Sequence, residues 1–391
     1  MNLPPLVSPQ EELTKKEIER YSRHLLLPDL GVDGQRRLKT SRVLIIGAGG
    51  LGSPVLLYLA AAGVGTMGII DADVVEESNL QRQVIHGVSN IGTLKTESAK
   101  QTIAEINPYV NVNLHSERLE AKTAVNIISQ YDLIVDGTDN FATRYLVNDA
   151  CILAKKPYVW GSIFRFEGQV SVFWEEAPKG VGLNYRDLYP EPPPPEYAPS
   201  CSEGGVLGIL CSSIGSIMAT EAVKLITGMG DSLLGRLMVY DALDMTYKTI
   251  KIGPAPDRKK INKLVDYEYF CGLKKPDLAT NLLSTEDNIS ALDLSALLDS
   301  NSKLTLVDVR ERTEWDIVHI DGATHIPKDT IVRGDWQGLD KNSLIVVMCK
   351  LGGRSRNVVN ELEKQGYKNL KNLEGGIISW IRDINPELPV Y

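Results

Sequence analysis

Arg42-Val-Leu-Ile-Ile46 runs without a break into Gly47-Ala-Gly-Gly-Leu-Gly52, and this junction decides the fold. A short apolar run of this kind is the signature of a strand buried on both faces of a parallel sheet. The glycines at 47, 49 and 52 permit a tight turn, let the backbone approach a phosphate and aim a helix N-terminus at it. A helical stretch to Ala62 follows. Met67-Gly-Ile-Ile-Asp71 then completes a β-α-β unit, with Asp71 placed to hold a ribose hydroxyl.

The same alternation continues outward. Strands are expected at 110–114, 133–136, 158–160 and 169–174, with helices between the earlier ones. Upstream, Thr14-Lys-Lys-Glu17 reads as a capping box that opens a basic amphipathic helix. The reading is therefore α/β, a Rossmann-like domain with a mainly parallel sheet. Pro190-Glu-Pro-Pro-Pro-Pro195 breaks the pattern and predicts a stiff, extended crossover leading to Cys201. An apolar helix over about 211–227 ends at Gly228. Polar, lysine-rich residues 253–288 read as a linker between a nucleotide domain, 1–252, and a smaller α/β domain, 289–391.

Composition narrows the function. The formal net charge of −8 argues against nucleic acid or an anionic membrane as the main partner. No uninterrupted apolar stretch reaches the roughly 18 residues needed to span a bilayer, and no secretory signal is legible. Five scattered cysteines fit a reducing compartment better than a disulfide framework, so a cytoplasmic location is expected.

A lone glycine fingerprint says only that a nucleotide binds, and its commonest explanation is NAD(P) or FAD. Its surroundings point elsewhere. Downstream stand Asp73-Val-Val-Glu-Glu-Ser-Asn-Leu-Gln-Arg-Gln83, Gly92-Thr-Leu-Lys95 and Asp136-Gly-Thr-Asp-Asn140. Attack on a triphosphate builds charge on the α-phosphate and on departing pyrophosphate, and Arg82 and Lys95 would neutralise it. Asp139 sits where open sheets place ligands and would hold Mg²⁺.

With Arg20-Tyr-Ser-Arg23 added, these stretches in this order resemble the MoeB/ThiF family, bacterial relatives of the ubiquitin-activating E1 enzymes, over residues 14 to about 272. The resemblance implies a homodimer that adenylates the C-terminal glycine of a small carrier protein with ATP. It implies nucleotide binding by Gly47, Gly49, Gly50, Gly52, Asp71, Asp73, Ser78, Asn79, Leu80, Gln81, Arg82, Lys95, Asp139 and Asn140. Arg23 would reach into the partner subunit's site. Cys201 matches a cysteine that some members bond covalently to the carrier. Many members carry two C-x-x-C pairs for a structural zinc. Here Asn184-Tyr-Arg-Asp187 and Glu268-Tyr-Phe-Cys271 stand instead, so no structural zinc is expected.

In the second domain, Val346-Val-Met-Cys349-Lys-Leu-Gly-Gly-Arg354-Ser355 reads as strand, glycine-bearing loop and helix start. Backbone N–H groups, the helix N-terminus and Arg354 should favour a thiolate at Cys349. With Val307-Asp-Val-Arg310, His319-Ile-Asp-Gly-Ala323 and Leu373-Glu-Gly-Gly376, residues 289–391 resemble a single-domain rhodanese, which implies a Cys349 persulfide. The spacing C-x4-R is one residue shorter than the C-x5-R loop of the related phosphatases. Asp308, Arg310 and His319 read as architectural.

Fused chains of this layout resemble the MoeZ-type adenylyltransferase/sulfurtransferases. The joined resemblance implies that Cys349, Cys201, Arg23, Arg82 and Arg354 are catalytic. It implies a ubiquitin-like sulfur-carrier protein of MoaD/ThiS type ending in Gly-Gly, and a sulfur donor such as a cysteine desulfurase or thiosulfate. Molybdopterin synthesis is the expected pathway. Two alternatives stay open: an E1-like activator that forms a thioester at Cys201, and a dinucleotide-binding sensor.

Overall fold

The computed structural model describes residues 3–193, 204–272, 287–300, 303–335 and 338–391. Two compact units divide at Lys274. The Pro-rich crossover beyond Pro193, and with it Cys201, lies outside the described residues.

The first unit is built on an eight-stranded sheet of order β3-β2-β1-β4-β5-β6-β7-β8. Its central strand β1 (Arg42–Ile46) lies parallel to β2 (Thr66–Ile70) on one side and β4 (Leu133–Asp136) on the other. β3 (Asn111–His115) and β5 (Tyr158–Phe164) extend the parallel part. Val43, Leu44 and Ile45 are fully buried, as a strand covered on both faces requires. From β5 onward the sheet turns antiparallel through β6 (Glu167–Phe173), β7 (Arg236–Asp241) and β8 (Thr246–Lys251). The last two strands extend the sheet past the alternation read from the sequence, and every residue of the edge strand β8 is exposed.

The capping box forms: the Thr14 side chain accepts from the Glu17 N–H, and Glu17 accepts from the Thr14 N–H at 2.7 Å. The expected basic segment is three helices, Lys15–Arg20, Ser22–Leu25 and Gly31–Thr40. The helix Gly208–Thr227 is long and apolar enough, by length and composition, to cross a membrane, with mean hydropathy 1.5. Its apolarity has a simpler cause. Leu210, Ile214, Met218, Ala222, Leu225 and Ile226 are buried in the core of the first unit, where the helix packs on Gly52–Ala62 and on β5 and β6.

Residues 253–272 are not a linker. They fold onto the first unit through charge and hydrogen bonds. The Arg258 guanidinium lies 2.8 Å from the Asp187 carboxylate and 3.1 Å from that of Glu175, and the Ala255 N–H donates to Asp187 at 2.9 Å. The Tyr267 hydroxyl donates to Asp149 at 2.8 Å, and Asp149 in turn receives two hydrogen bonds from Arg186. Asn184, Asp187 and Cys271 therefore stand in a polar and aromatic clasp. Asn184 caps the short helix Tyr185–Leu188, and Cys271 is buried, with its thiol pushed up to about 11 by that burial.

The second unit is a five-stranded, wholly parallel sheet of order β11-β10-β12-β13-β9. Its strands are β9 (Asn288–Ile289), β10 (Leu304–Asp308), β11 (Thr324–His325), β12 (Leu344–Met348) and β13 (Leu370–Leu373). Separate apolar clusters form around Leu294, Leu306, Val346 and Ile377 and around Val307, Ile345, Val358 and Leu362. Central β12 is thus buried from both sides and delivers Cys349 at its C-terminal end.

Asp149→Ala leaves the Arg186 guanidinium half-buried without its partner, a loss of about 3–5 kcal/mol. A lowered urea midpoint of the first-unit transition is the expected result, with Tyr267→Phe losing only about 1.5–3 kcal/mol.

Candidate active sites

The sheet reverses its build direction between β1 and β4, and ligands of open α/β sheets bind in the crevice at such a point. A cavity of about 1090 Å³ opens there. Gly47, Gly49, Gly50, Asp71, Asp73, Arg82, Lys95, Asp139 and Asn140 all line it. Gly52, Ser78, Leu80, Gln81, Asn79 and Arg23 do not.

The glycine turn is closed by its own backbone. A Cβ at Gly52 would lie 1.9 Å from the Gly47 carbonyl oxygen, so no larger residue fits. Asp71 follows β2, and its carboxylate accepts from the Ala48 N–H at 2.8 Å and the Asp73 N–H at 2.9 Å. That pins the second strand's end to the phosphate-type turn. Lys95 begins the helix Lys95–Ile106, with its ammonium 3.0 Å from Asp73. Arg82 reaches back to the Ser78 carbonyl at 3.1 Å. Asn79 is buried and closes a short turn by accepting from the Glu76 N–H at 3.2 Å, a structural task.

The two aspartates after β4 differ sharply. Asp136 is fully buried, accepts from the Thr138 N–H and hydroxyl at 3.0 and 2.7 Å, and is pushed up by burial. Asp139 is exposed on the cavity wall. Asn140 caps the helix Phe141–Ala154 by accepting from the Thr143 N–H at 2.9 Å. An exposed carboxylate opening onto a phosphate-sized turn suits Mg²⁺, which takes one or two carboxylates together with phosphate oxygens and water.

The lining also holds residues that the sequence did not single out. Arg144 is buried and donates to the Thr138 carbonyl at 3.2 and 3.1 Å, its guanidinium over Phe141 and Trp160. A lone arginine within the apolar run 141–147, one turn after the Asn140 cap, was the available signal. Cys211 lines the cavity rather than sitting only in the core, and Leu264–Glu268 form a wall that the linker reading had hidden.

The second unit presents a cysteine cradle. Cys349 is buried, and its sulfur accepts from the Gly352 N–H at 3.1 Å and the Ser355 hydroxyl at 3.3 Å. Gly352, with φ of 93°, turns the loop into the helix Gly353–Lys364. Arg354 is tied to a carboxylate. It holds Glu314 with two hydrogen bonds, at 2.6 and 2.7 Å. Burial pushes the Glu314 carboxyl up, but the Arg354 hydrogen bonds and charge outweigh it and hold the group below its ordinary value. Asp308 and Arg310 are completely buried and paired at 2.5 Å beneath the loop. His319 stacks on Trp315 at 4.2 Å and bonds its carbonyl at 3.1 Å.

A glycine-cradled crevice with two cations on its wall, and a separate hydrogen-bonded cysteine loop, define a nucleotide-dependent transferase joined to a sulfur-handling module. The chain belongs to the ThiF family, matched over residues 21–262, and carries a rhodanese-like domain over residues 290–383. It is 59% identical over 391 residues to the probable adenylyltransferase/sulfurtransferase MoeZ of Mycobacterium tuberculosis, covering 100% of this chain and 99% of that protein. It is 38% identical to the adenylyltransferase and sulfurtransferase MOCS3 of Culex quinquefasciatus, over 97% of this chain and 91% of that one. The crystal structure of E. coli MccB with ATP shares the fold of the first unit, with a TM-score of 0.53, 22% identity and coverage of 65% and 74%. The protein is an adenylyltransferase and a sulfurtransferase.

Gly52→Ala should weaken ATP binding by about tenfold or more, since forcing a methyl against backbone costs about 1–3 kcal/mol. Calorimetric titration checks this. Glu314, depressed in the folded state, contributes stability above its ordinary value of 4.5 and loses it as pH falls through the lower folded value. The stability difference between the native chain and Glu314→Gln should therefore shrink in urea titrations taken from about pH 6 to about pH 3.5.

Proposed function

We propose that the first unit adenylates the C-terminal carboxylate of a ubiquitin-like sulfur-carrier protein and that Cys349 then supplies its sulfur. The juxtaposition of the glycine turn with Arg82, Lys95 and Asp139 around one cavity carries the first half of this reading. The cradle around Cys349 carries the second.

A carrier carboxylate oxygen attacks the α-phosphorus of ATP, and the bond to the bridging oxygen of pyrophosphate breaks. Arg82 and Lys95 offset the charge that gathers on the α-phosphate and on the leaving group. Asp71 holds the ribose, and Asp139 would hold Mg²⁺, which supplies charge neutralisation when bound. Arg23 serves the site of a second copy in a homodimer. The product is an acyl-adenylate whose leaving group is AMP.

A sulfur donor such as thiosulfate or a cysteine desulfurase first loads Cys349 as a persulfide. Its terminal sulfur attacks the acyl carbon, AMP departs, and an acyl disulfide links carrier to enzyme. A second thiol attacks the Cys349 sulfur, with Cys201 the candidate or an external thiol in its place. The carrier then leaves as a thiocarboxylate and a disulfide remains on the enzyme side. Joining both activities in one chain raises the concentration of each site as seen by the other. The carrier is of MoaD/ThiS type with a Gly-Gly end, the product feeds molybdopterin synthesis, and the reaction takes place in the cytoplasm.

Incubation with ATP, thiosulfate and MoaD-type carriers should replace one carrier oxygen by sulfur, seen by mass spectrometry. Thiolation only of a carrier from thiamine, cysteine or tRNA modification would move the pathway and keep the chemistry. Arg82→Ala should abolish ATP–pyrophosphate exchange, whereas Cys349→Ala should preserve exchange and lose thiocarboxylate. Equal loss of exchange in both variants contradicts the division of labour.

A further inference from the structure

We infer that Tyr391 is a positioning residue for the sulfur-transfer loop, holding the loop's two cations, Lys350 and Arg354, where an anionic sulfur donor must bind. The inference rests on the reading of Cys349 as the sulfur-carrying thiol and adds a residue that lies 42 positions beyond it in the sequence.

Tyr391 touches both flanks of the loop. Its hydroxyl accepts from Arg310 Nη1 at 2.5 Å and donates to Glu314 Oε1 at 3.2 Å. Arg310 is fixed in turn by Asp308 and by the Val318 carbonyl at 2.8 Å. Glu314 grips Arg354, in the first turn of the helix whose cap, Gly352, donates to Cys349. A continuous chain of bonds thus runs from the buried Asp308–Arg310 pair through one phenol to the cation closing the loop. On the other flank, the Lys350 ammonium lies 4.6 Å from the centroid of the Tyr391 ring, within cation–π range.

A phenol suits this place because it accepts from a guanidinium and donates to a carboxylate without adding charge. Burial pushes its hydroxyl up to about 12, so it remains a donor throughout the working range. Without the hydroxyl, the Glu314 carboxylate loses one of the bonds that fix its plane, and Arg354 loses a fixed partner. Without the ring, Lys350 loses the surface it rests on. Both changes disturb where a dianion is received, and neither touches the sulfur.

The test is sulfur transfer from thiosulfate to cyanide by the full chain. The Cys349 thiolate takes the outer sulfur and releases sulfite, and cyanide then removes that sulfur as thiocyanate. Tyr391→Ala should raise KM for thiosulfate about tenfold and Tyr391→Phe, which keeps the ring over Lys350, about threefold, with kcat within about twofold. A merely structural role would lower kcat by reducing the active fraction and leave KM alone. Unchanged KM in both variants, or loss confined to kcat, overturns the inference. Cys349→Ala is assayed in parallel: turnover at the native rate there would strike the reading of Cys349 itself. ATP–pyrophosphate exchange should be equal in all three variants and the native chain.

Discussion

At the turn after β1 the chain folds so tightly that the Gly52 α-carbon has no room for a side chain against the Gly47 carbonyl. This contact sets the direction of the helix Gly52–Ala62 and presents backbone rather than side chain to the crevice. Asp71 is fastened to the same turn through Ala48, while Gly137 donates to the Ile46 carbonyl at 2.9 Å. The ends of β1, β2 and β4 are therefore locked to one another, the second through the Asp71 carboxylate and the third through a main-chain bond. The glycine turn and Asp71 take their places on the cavity wall from that lock.

Backbone-encoded features were the most legible. The strand-turn-helix at Arg42–Ala62, the cavity-lining positions of Arg82 and Lys95, and the Cys349 loop are local patterns, and local patterns survive without knowledge of packing. What escaped was non-local. Residues 253–272 are polar and lysine-bearing, yet Arg258, Tyr267 and Phe270 find partners more than 70 positions away, in Asp187, Asp149 and Tyr145. β7 and β8 likewise earn their state only by pairing with β6 and with each other. Arg354 shows the same limit at the level of one charge: proximity to Cys349 in sequence said nothing of Glu314, which occupies it.

The two units solve one problem by different means. In the first, a bound group would be received by glycine backbone and by two cations, Lys95 held by Asp73 and Arg82 by the Ser78 carbonyl. In the second, the reactive atom belongs to the protein, so its surroundings are bonded: Gly352 and Ser355 on the sulfur, and Asn372 on Ser355 at 2.6 Å. Substrate chemistry needs room, whereas carried sulfur needs enclosure.

The sheet of the first unit ends on a strand whose residues are all exposed, and among the described residues no further strand pairs with its outer row of amide and carbonyl groups. Its sequence, Thr-Tyr-Lys-Thr-Ile-Lys, places Lys248 and Lys251 along that open border. Self-stacking of two such borders would bring like charges together, which guards against fibrous aggregation along a border that no described strand covers.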